Sequence, residues 1–204
     1  MRQSFACLNS YEKMCSAFQI GFQKRRRSVM ANQQIIIIGF MGTGKTTVAQ
    51  SLARLLNRRA IDLDNLITQR ENRSPREIIE QEGEKAFREI ETQTLREVLL
   101  DATDCVISVG GGGWTIAENR KLIARHGALA VWLDSSFDLC WKRIEAGREA
   151  RPLARSRALA EALYSARRPV YELAEVRIPV YENESVETIA QKVARLVLER
   201  TANS

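Results

Sequence analysis

From Ile35 onward the chain alternates short apolar runs with longer amphipathic stretches. Ile35–Ile38, Ala60–Leu63, Cys105–Val109, Ala128–Leu133 and Val176–Val180 read as buried strands. The stretches between them carry helix signals. Ser74-Pro75-Arg76-Glu77 is a capping box with proline at the first helical position, and it opens a helix that Gly83 divides before it runs on to about Leu100. Ser185 precedes Val186, Ile189, Val193, Leu196 and Val197, an apolar stripe at helical spacing. Pro179 cannot donate to a sheet ladder, so the last strand is expected at an edge. Strands alternating with helices in this way predict an α/β fold, a mostly parallel sheet with helices on both faces. Two segments fall outside the pattern. Residues 1–34 lack sustained periodicity and read as a flexible basic leader. Residues 146–157 are polar, rich in arginine and interrupted by Gly147 and Pro152, which reads as a mobile excursion.

A length of 204 residues fits one such domain, here 35–204, and no apolar run approaches the ~20 residues of a membrane span. The net charge of +6, with a sequence pI near 9.4, invites a polyanion partner until its distribution is examined. Residues 1–34 hold six basic side chains and one acid, which leaves 25 basic and 24 acidic for the remainder. The domain itself is nearly neutral, and neither nucleic acid nor a membrane is expected as a partner. The leader has two sharper readings, an organelle transit peptide or sequence upstream of a start at Met30; a secretory signal is disfavoured because no apolar h-region follows the charges. Four cysteines without a CxxC pair, and a single histidine, His126, argue against a zinc site or a disulfide framework and for reduced thiols in a cytosol-like compartment.

Gly39-Phe40-Met41-Gly42-Thr43-Gly44-Lys45-Thr46 fits G-x-x-x-x-G-K-[ST], the P-loop pattern. Glycines let successive backbone N–H groups face phosphate oxygens, and the helix beginning near Lys45 adds its positive N-terminal end. Four isoleucines precede the loop, and Val48, Leu52, Leu55 and Leu56 follow at helical spacing, which is the setting the motif needs. Lys45 is placed to reach the β- and γ-phosphates, and the Thr46 hydroxyl can ligate Mg²⁺.

Further carboxylates and glycines complete the constellation. Asp62 and Asp64 close the second strand, and alternation along a strand predicts that both side chains point the same way, toward a cation or a substrate hydroxyl. Asp64 could instead cap a following helix. Asp134, after Ala130-Val131-Trp132-Leu133, competes as a metal-side carboxylate, although a capping role before Ser135-Ser136-Phe137 is favoured. Gly110-Gly111-Gly112-Gly113 follows the third strand, where four glycines suggest close backbone approach to a ligand. Arg88 and Glu91 stand three apart on one helical face, so that the carboxylate can hold the guanidinium; alone, such a pair is more often a surface ion pair than a site.

Together these segments resemble the shikimate kinase family, within the nucleoside-monophosphate-kinase-like P-loop proteins. The resemblance covers about residues 33–200 and rests on the P-loop, Asp62-x-Asp64, Phe87-Arg88 with Glu91, Gly110-Gly111-Gly112, Arg151-Pro152-Leu153 and Arg167-x-Pro169-x-Tyr171. It implies a three-layer P-loop kinase fold with a five-stranded parallel sheet and a mobile lid at about 146–157, and the transfer of phosphate from ATP to the 3-hydroxyl of shikimate. It implies that Gly42, Thr43, Gly44, Lys45, Thr46, Thr47 and Arg151 bind ATP. Thr46, with Asp62 through water, would hold Mg²⁺. Asp64, Arg88, Gly110, Gly111, Gly112 and Arg167 would bind shikimate, the two arginines taking its carboxylate. Lys45, Asp64 and Arg151 would be catalytic, Asp64 orienting or deprotonating the attacking hydroxyl and Arg151 closing over the phosphates from the lid. A cytoplasmic monomer is expected, or a plastid enzyme if the leader is a transit peptide. Gly113 departs from the family pattern, which commonly has alanine or serine there, and the span from Arg151 to Arg167 is somewhat short. Arg143 and the loop Tyr181–Ser185 are the candidates for holding adenine. Two other readings remain: a related kinase with a gluconate or nucleotide acceptor, and a non-catalytic nucleotide-binding homologue. The absence of an Asn-Lys-x-Asp run disfavours a GTPase.

Overall fold

The four isoleucines Ile35–Ile38 form β1, and every one of their side chains is buried. In the computed structural model, which describes residues 33–147 and 156–202, β1 is the middle strand of a parallel sheet ordered β2-β3-β1-β4-β5. Its neighbours are β3 (Cys105–Ser108) and β4 (Leu129–Ser135), with β2 (Arg59–Asp62) and β5 (Val176–Val180) at the edges. Pro179 thus lies on an edge strand, as its missing N–H requires.

Seven helices surround the sheet among the described residues: α1 (Lys45–Leu56), α2 (Leu63–Glu71), α3 (Pro75–Asp101), α4 (Ala117–Arg125), α5 (Phe137–Ala146), α6 (Arg157–Tyr171) and α7 (Val186–Ala202). Alternation along β1 divides the interior into two. Ile36 and Ile38 face a layer that includes Phe87, Leu95 and Leu122, while Ile35 and Ile37 face Leu52 of α1 and Val193 of α7. Burying an isoleucine stabilises by roughly 1.5–3 kcal/mol, so β1 is a stiff mount for the loop that follows it.

Local signals act where the sequence places them. Ser74 accepts from the Glu77 N–H while the Glu77 carboxylate accepts from the Ser74 N–H, and Pro75 opens α3. Gly83, at φ 89° and ψ 162°, interrupts that helix. The second strand differs from expectation. It ends at Asp62 rather than Leu63, because the Asp62 side chain accepts from the Asn65 N–H and caps α2 there. Asp64 therefore stands in the first turn of a helix, and strand alternation does not relate it to Asp62. β3 stops one residue short of Val109, and β4 runs on through Asp134 to Ser135, leaving Ser136 to cap α5. Most of the segment expected as a lid, including Arg151, and all but Gln33 and Gln34 of the expected leader lie outside the described residues.

Candidate active site

A parallel sheet brings the carboxyl ends of its strands to one side, and the loops leaving them converge there. The P-loop leaves β1, Asp62 ends β2, Ser108 and the glycine run end β3, and together they line a cleft of about 320 Å³. Gly44, at φ 89°, turns the chain into α1, which starts at Lys45. Lys45 Nζ lies 3.1 Å from the Phe40 carbonyl, across the mouth of the loop. Thr43 is buried, with its N–H and its hydroxyl both directed to that same carbonyl, and Thr47 Oγ1 donates to the Gly44 carbonyl at 2.8 Å. Gly42 has φ 82° and no room, since a Cβ there would meet the Cys140 carbonyl oxygen at 2.5 Å. The Arg143 guanidinium donates to the carbonyls of Gly42 and Thr43, which sets it beside the cradle.

The Asp62 carboxylate is more heavily used than its sequence position indicates. Thr46 Oγ1 donates to Oδ2 at 2.6 Å and Ser108 Oγ at 2.8 Å, while Oδ1 caps α2. A hydroxyl and a carboxylate in contact at a phosphate cradle are the hard oxygen donors that suit Mg²⁺. Among the described residues no group of three or more His, Cys, Asp or Glu could hold an ion unaided, so water and phosphate oxygens would have to complete its shell.

Each of the next three glycines abuts a different charge. A Cβ at Gly110 would fall 3.0 Å from Asp64 Oδ1 and 2.9 Å from Glu91 Oε1. At Gly111 it would fall 3.5 Å from Arg167 Nη1 and 3.4 Å from the P-loop nitrogen of Met41. At Gly112 it would overlap the Arg88 guanidinium, 2.1 Å from Nη2. The run is thus a bare backbone strip that lets two guanidinium groups and two carboxylates crowd together directly against the phosphate cradle.

The side chains around the strip are held from behind. Arg88 Nη1 donates to Glu91 Oε2 at 2.6 Å and Nη2 to Glu84 Oε1 at 2.9 Å. Glu91 is fully buried, and its other oxygen, Oε1, meets no donor among the described residues. Burial pushes its carboxyl up to about 7; Arg88 opposes the rise and the nearby Asp64 charge adds to it. Arg167 is only 8% exposed and forms no ion pair among the described residues, while Tyr171, one helical turn on, donates its hydroxyl to the Gly111 carbonyl. Burial pushes the Tyr171 hydroxyl up to about 12, so it stays a donor. The Ser108 hydroxyl on Asp62 and the Tyr171 hydroxyl on Gly111 are contacts to which the sequence assigned no role, although Tyr171 stands in the Arg167-x-Pro169-x-Tyr171 motif. A polar residue ending an apolar strand, and a tyrosine four residues after Arg167 on one helix face, were their only signals.

Asp134 does not cap α5, which Ser136 caps, and it does not line the P-loop cleft. Its carboxylate lies 2.7 Å from Arg168 Nη1 and 2.6 Å from Arg177 Nη2, and both guanidinium groups cover the Trp132 ring. These residues border a larger cavity of about 640 Å³ between α5, α6 and β5, away from the P-loop. Tyr181 lines that cavity, so the loop expected at the adenine lies partly on it rather than on the cleft that Arg143 lines.

Known proteins share this sequence pattern and this fold. The family model for shikimate kinase matches residues 41–198. A curated shikimate kinase from Cereibacter sphaeroides is 37% identical over 185 residues, covering 88% of this chain and 91% of its own, and one from Geobacter sulfurreducens is 39% identical over 170 residues, covering 82% and 92%. The structure of a shikimate kinase from Acinetobacter baumannii in complex with shikimate superposes with a TM-score of 0.75 at 30% identity, over 86% of this chain and 98% of that one. A family model that matches most of the chain, and relatives matched over nearly their full length, show that the chain belongs to the shikimate kinase family.

Proposed function

We propose that this protein transfers the γ-phosphoryl group of ATP to the 3-hydroxyl of shikimate, giving ADP and shikimate 3-phosphate. The observation that carries the reading is Arg167, a buried guanidinium without an ion pair among the described residues, beside Arg88 and directly against the P-loop across Gly111. Glu91 attracts Arg167 without forming a salt bridge to it, and the Tyr171 hydroxyl is a neutral partner, so this buried cation still lacks a close anion; a planar fork suits a carboxylate. An acceptor carboxylate on Arg88 and Arg167, with its ring against Gly110, Gly111 and Gly112, sets a hydroxyl beside Asp64. Asp64 then orients that hydroxyl and takes its proton as the oxygen attacks phosphorus.

On the donor side Gly42, Thr43, Gly44 and Thr47 shape the phosphate cradle, and Lys45 places its charge on the β- and γ-phosphates. Arg151, from the segment 146–157, adds a further positive charge. Thr46, with Asp62 through water, would hold Mg²⁺, which when bound neutralises the phosphate oxygens. A monomer is part of the proposal. Cytoplasmic location is part of the proposal and fits the bacterial relatives; no helix of the described residues is long and apolar enough to cross a membrane.

Release of ADP by the purified protein with Mg·ATP tests the reading. Turnover is expected with shikimate, and equal turnover with gluconate or a nucleoside monophosphate would refute it. Lys45→Ala should abolish transfer, while Arg88→Ala should act chiefly through the KM for shikimate.

A further inference from the structure

We infer that Glu91 carries a proton whenever the acceptor's carboxylate is bound, so that acceptor binding draws a proton from solvent and the site selects an acceptor with a single negative charge. The inference rests on the acceptor reading above and concerns what that site does with its own charges.

The charge count at the glycine strip is the starting point. Arg88 and Arg167 contribute two positive charges; Asp64 and an ionised Glu91 contribute two negative ones. An acceptor carboxylate added to this set leaves a buried excess of negative charge, which low-dielectric surroundings penalise heavily. A proton on one carboxylate removes the excess. Glu84 also touches Arg88, but it is half exposed and water screens it.

Local geometry says which carboxylate holds that proton. Glu91 is fully buried, its Oε1 has no donor among the described residues, and that oxygen is closed in by Gly110 on one side and Gly113 on the other, where a Cβ would come within 2.9 Å and 2.8 Å. An ionised oxygen in such a place is unsolvated, whereas a protonated one is merely a buried hydroxyl. The Asp64 carboxylate crowds the same Gly110, and like charges raise each other's proton affinity. The charged groups facing Glu91 are therefore Arg88 from its own helix, Asp64 from α2 and Arg167 from α6. The acceptor carboxylate competes with Glu91 for the two guanidinium groups and weakens what little holds it ionised.

The sign follows. In the free protein burial pushes the Glu91 carboxyl up to about 7. Binding raises that value, so affinity is highest below it and falls as pH rises through it, by up to about tenfold per pH unit. Were Glu91 only a fixed anionic brace for Arg88, shikimate binding would exchange no proton at this residue.

Calorimetric titration of shikimate into nucleotide-free protein at about pH 8, in buffers of differing ionisation enthalpy, reads the proton directly. Wild type should take up close to one proton, and Glu91→Gln, which keeps the shape of the protonated form, should bind with none. Uptake that is absent in wild type or unchanged in Glu91→Gln overturns the inference while leaving the acceptor reading intact. Failure of shikimate to bind wild type at all overturns both. If Glu91→Gln does not fold, the infrared difference spectrum of wild type on binding decides: a new protonated-carboxyl band supports the inference, and its absence refutes it.

Discussion

Replacing Gly112 with alanine is a one-atom test of the acceptor site. Gly112 sits at φ −95° and ψ −21°, which any residue adopts, so the backbone is indifferent to the change. The added carbon would fall 2.1 Å from Nη2, 2.6 Å from Cζ and 2.9 Å from Nη1 of Arg88. None of those contacts is tolerable, and the atom that gives way is the far end of a flexible side chain. Arg88 must swing off Glu91 and away from the strip. Loss of a charge-assisted contact to the acceptor carboxylate costs about 1.5–3 kcal/mol, which is roughly 10- to 150-fold in affinity. Glu91 loses its guanidinium, but near neutral pH it can take a proton instead of remaining a buried anion, so folding suffers little. The melting temperature should fall by no more than about 4 °C. A coupled ADP-release assay should therefore show a shikimate KM raised by one to two orders of magnitude with the KM for ATP unchanged. A parental shikimate KM would show that Arg88 does not hold the acceptor.

Gly42→Ala should behave in the opposite way. Its Cβ would strike a backbone carbonyl, that of Cys140, at φ 82°, so thermal unfolding should show a loss of about 2–4 kcal/mol and nucleotide affinity should fall with it. Asp134→Ala removes the carboxylate shared by Arg168 and Arg177; because both arginines are partly exposed and can turn to water, a loss of about 2 kcal/mol is expected, with the Mg²⁺ dependence of activity unchanged. Ser74→Ala should cost about 1 kcal/mol through the lost cap of α3, seen as a small drop in melting temperature with parental kinetics.

These residues also mark where local pattern stops being informative. The P-loop, the capping box at Ser74, the break at Gly83 and the edge position of Pro179 all follow from a residue and its near neighbours, and all were legible in the sequence. Asp62 and Asp64 were legible as a pair but not in geometry. The strand gives way to a helix between them, and only the hydrogen bond from the Asn65 N–H to Asp62 reveals the change of period. Asp134 takes its role from Arg168 and Arg177, 34 and 43 residues away, contacts that no local pattern encodes. Glu91 looked like a surface partner of Arg88 because helical spacing does not say which way the shared face points. The glycine run was read as room for a ligand, whereas much of the room it leaves is filled by this protein's own charged side chains.

The position of β1 bears on how the molecule is made. The strand that carries the phosphate loop comes first along the chain, yet its partners are Val106–Ser108 and Leu129–Trp132. Parallel neighbours cannot meet through a hairpin, and each pairing must close a long loop first. During synthesis the complete P-loop motif therefore leaves the ribosome early and waits for both flanks of its strand to be paired until β4 has followed it out. Chains cut off before residue 129 would contain every residue of the nucleotide motif on a strand that lacks one of its two neighbours.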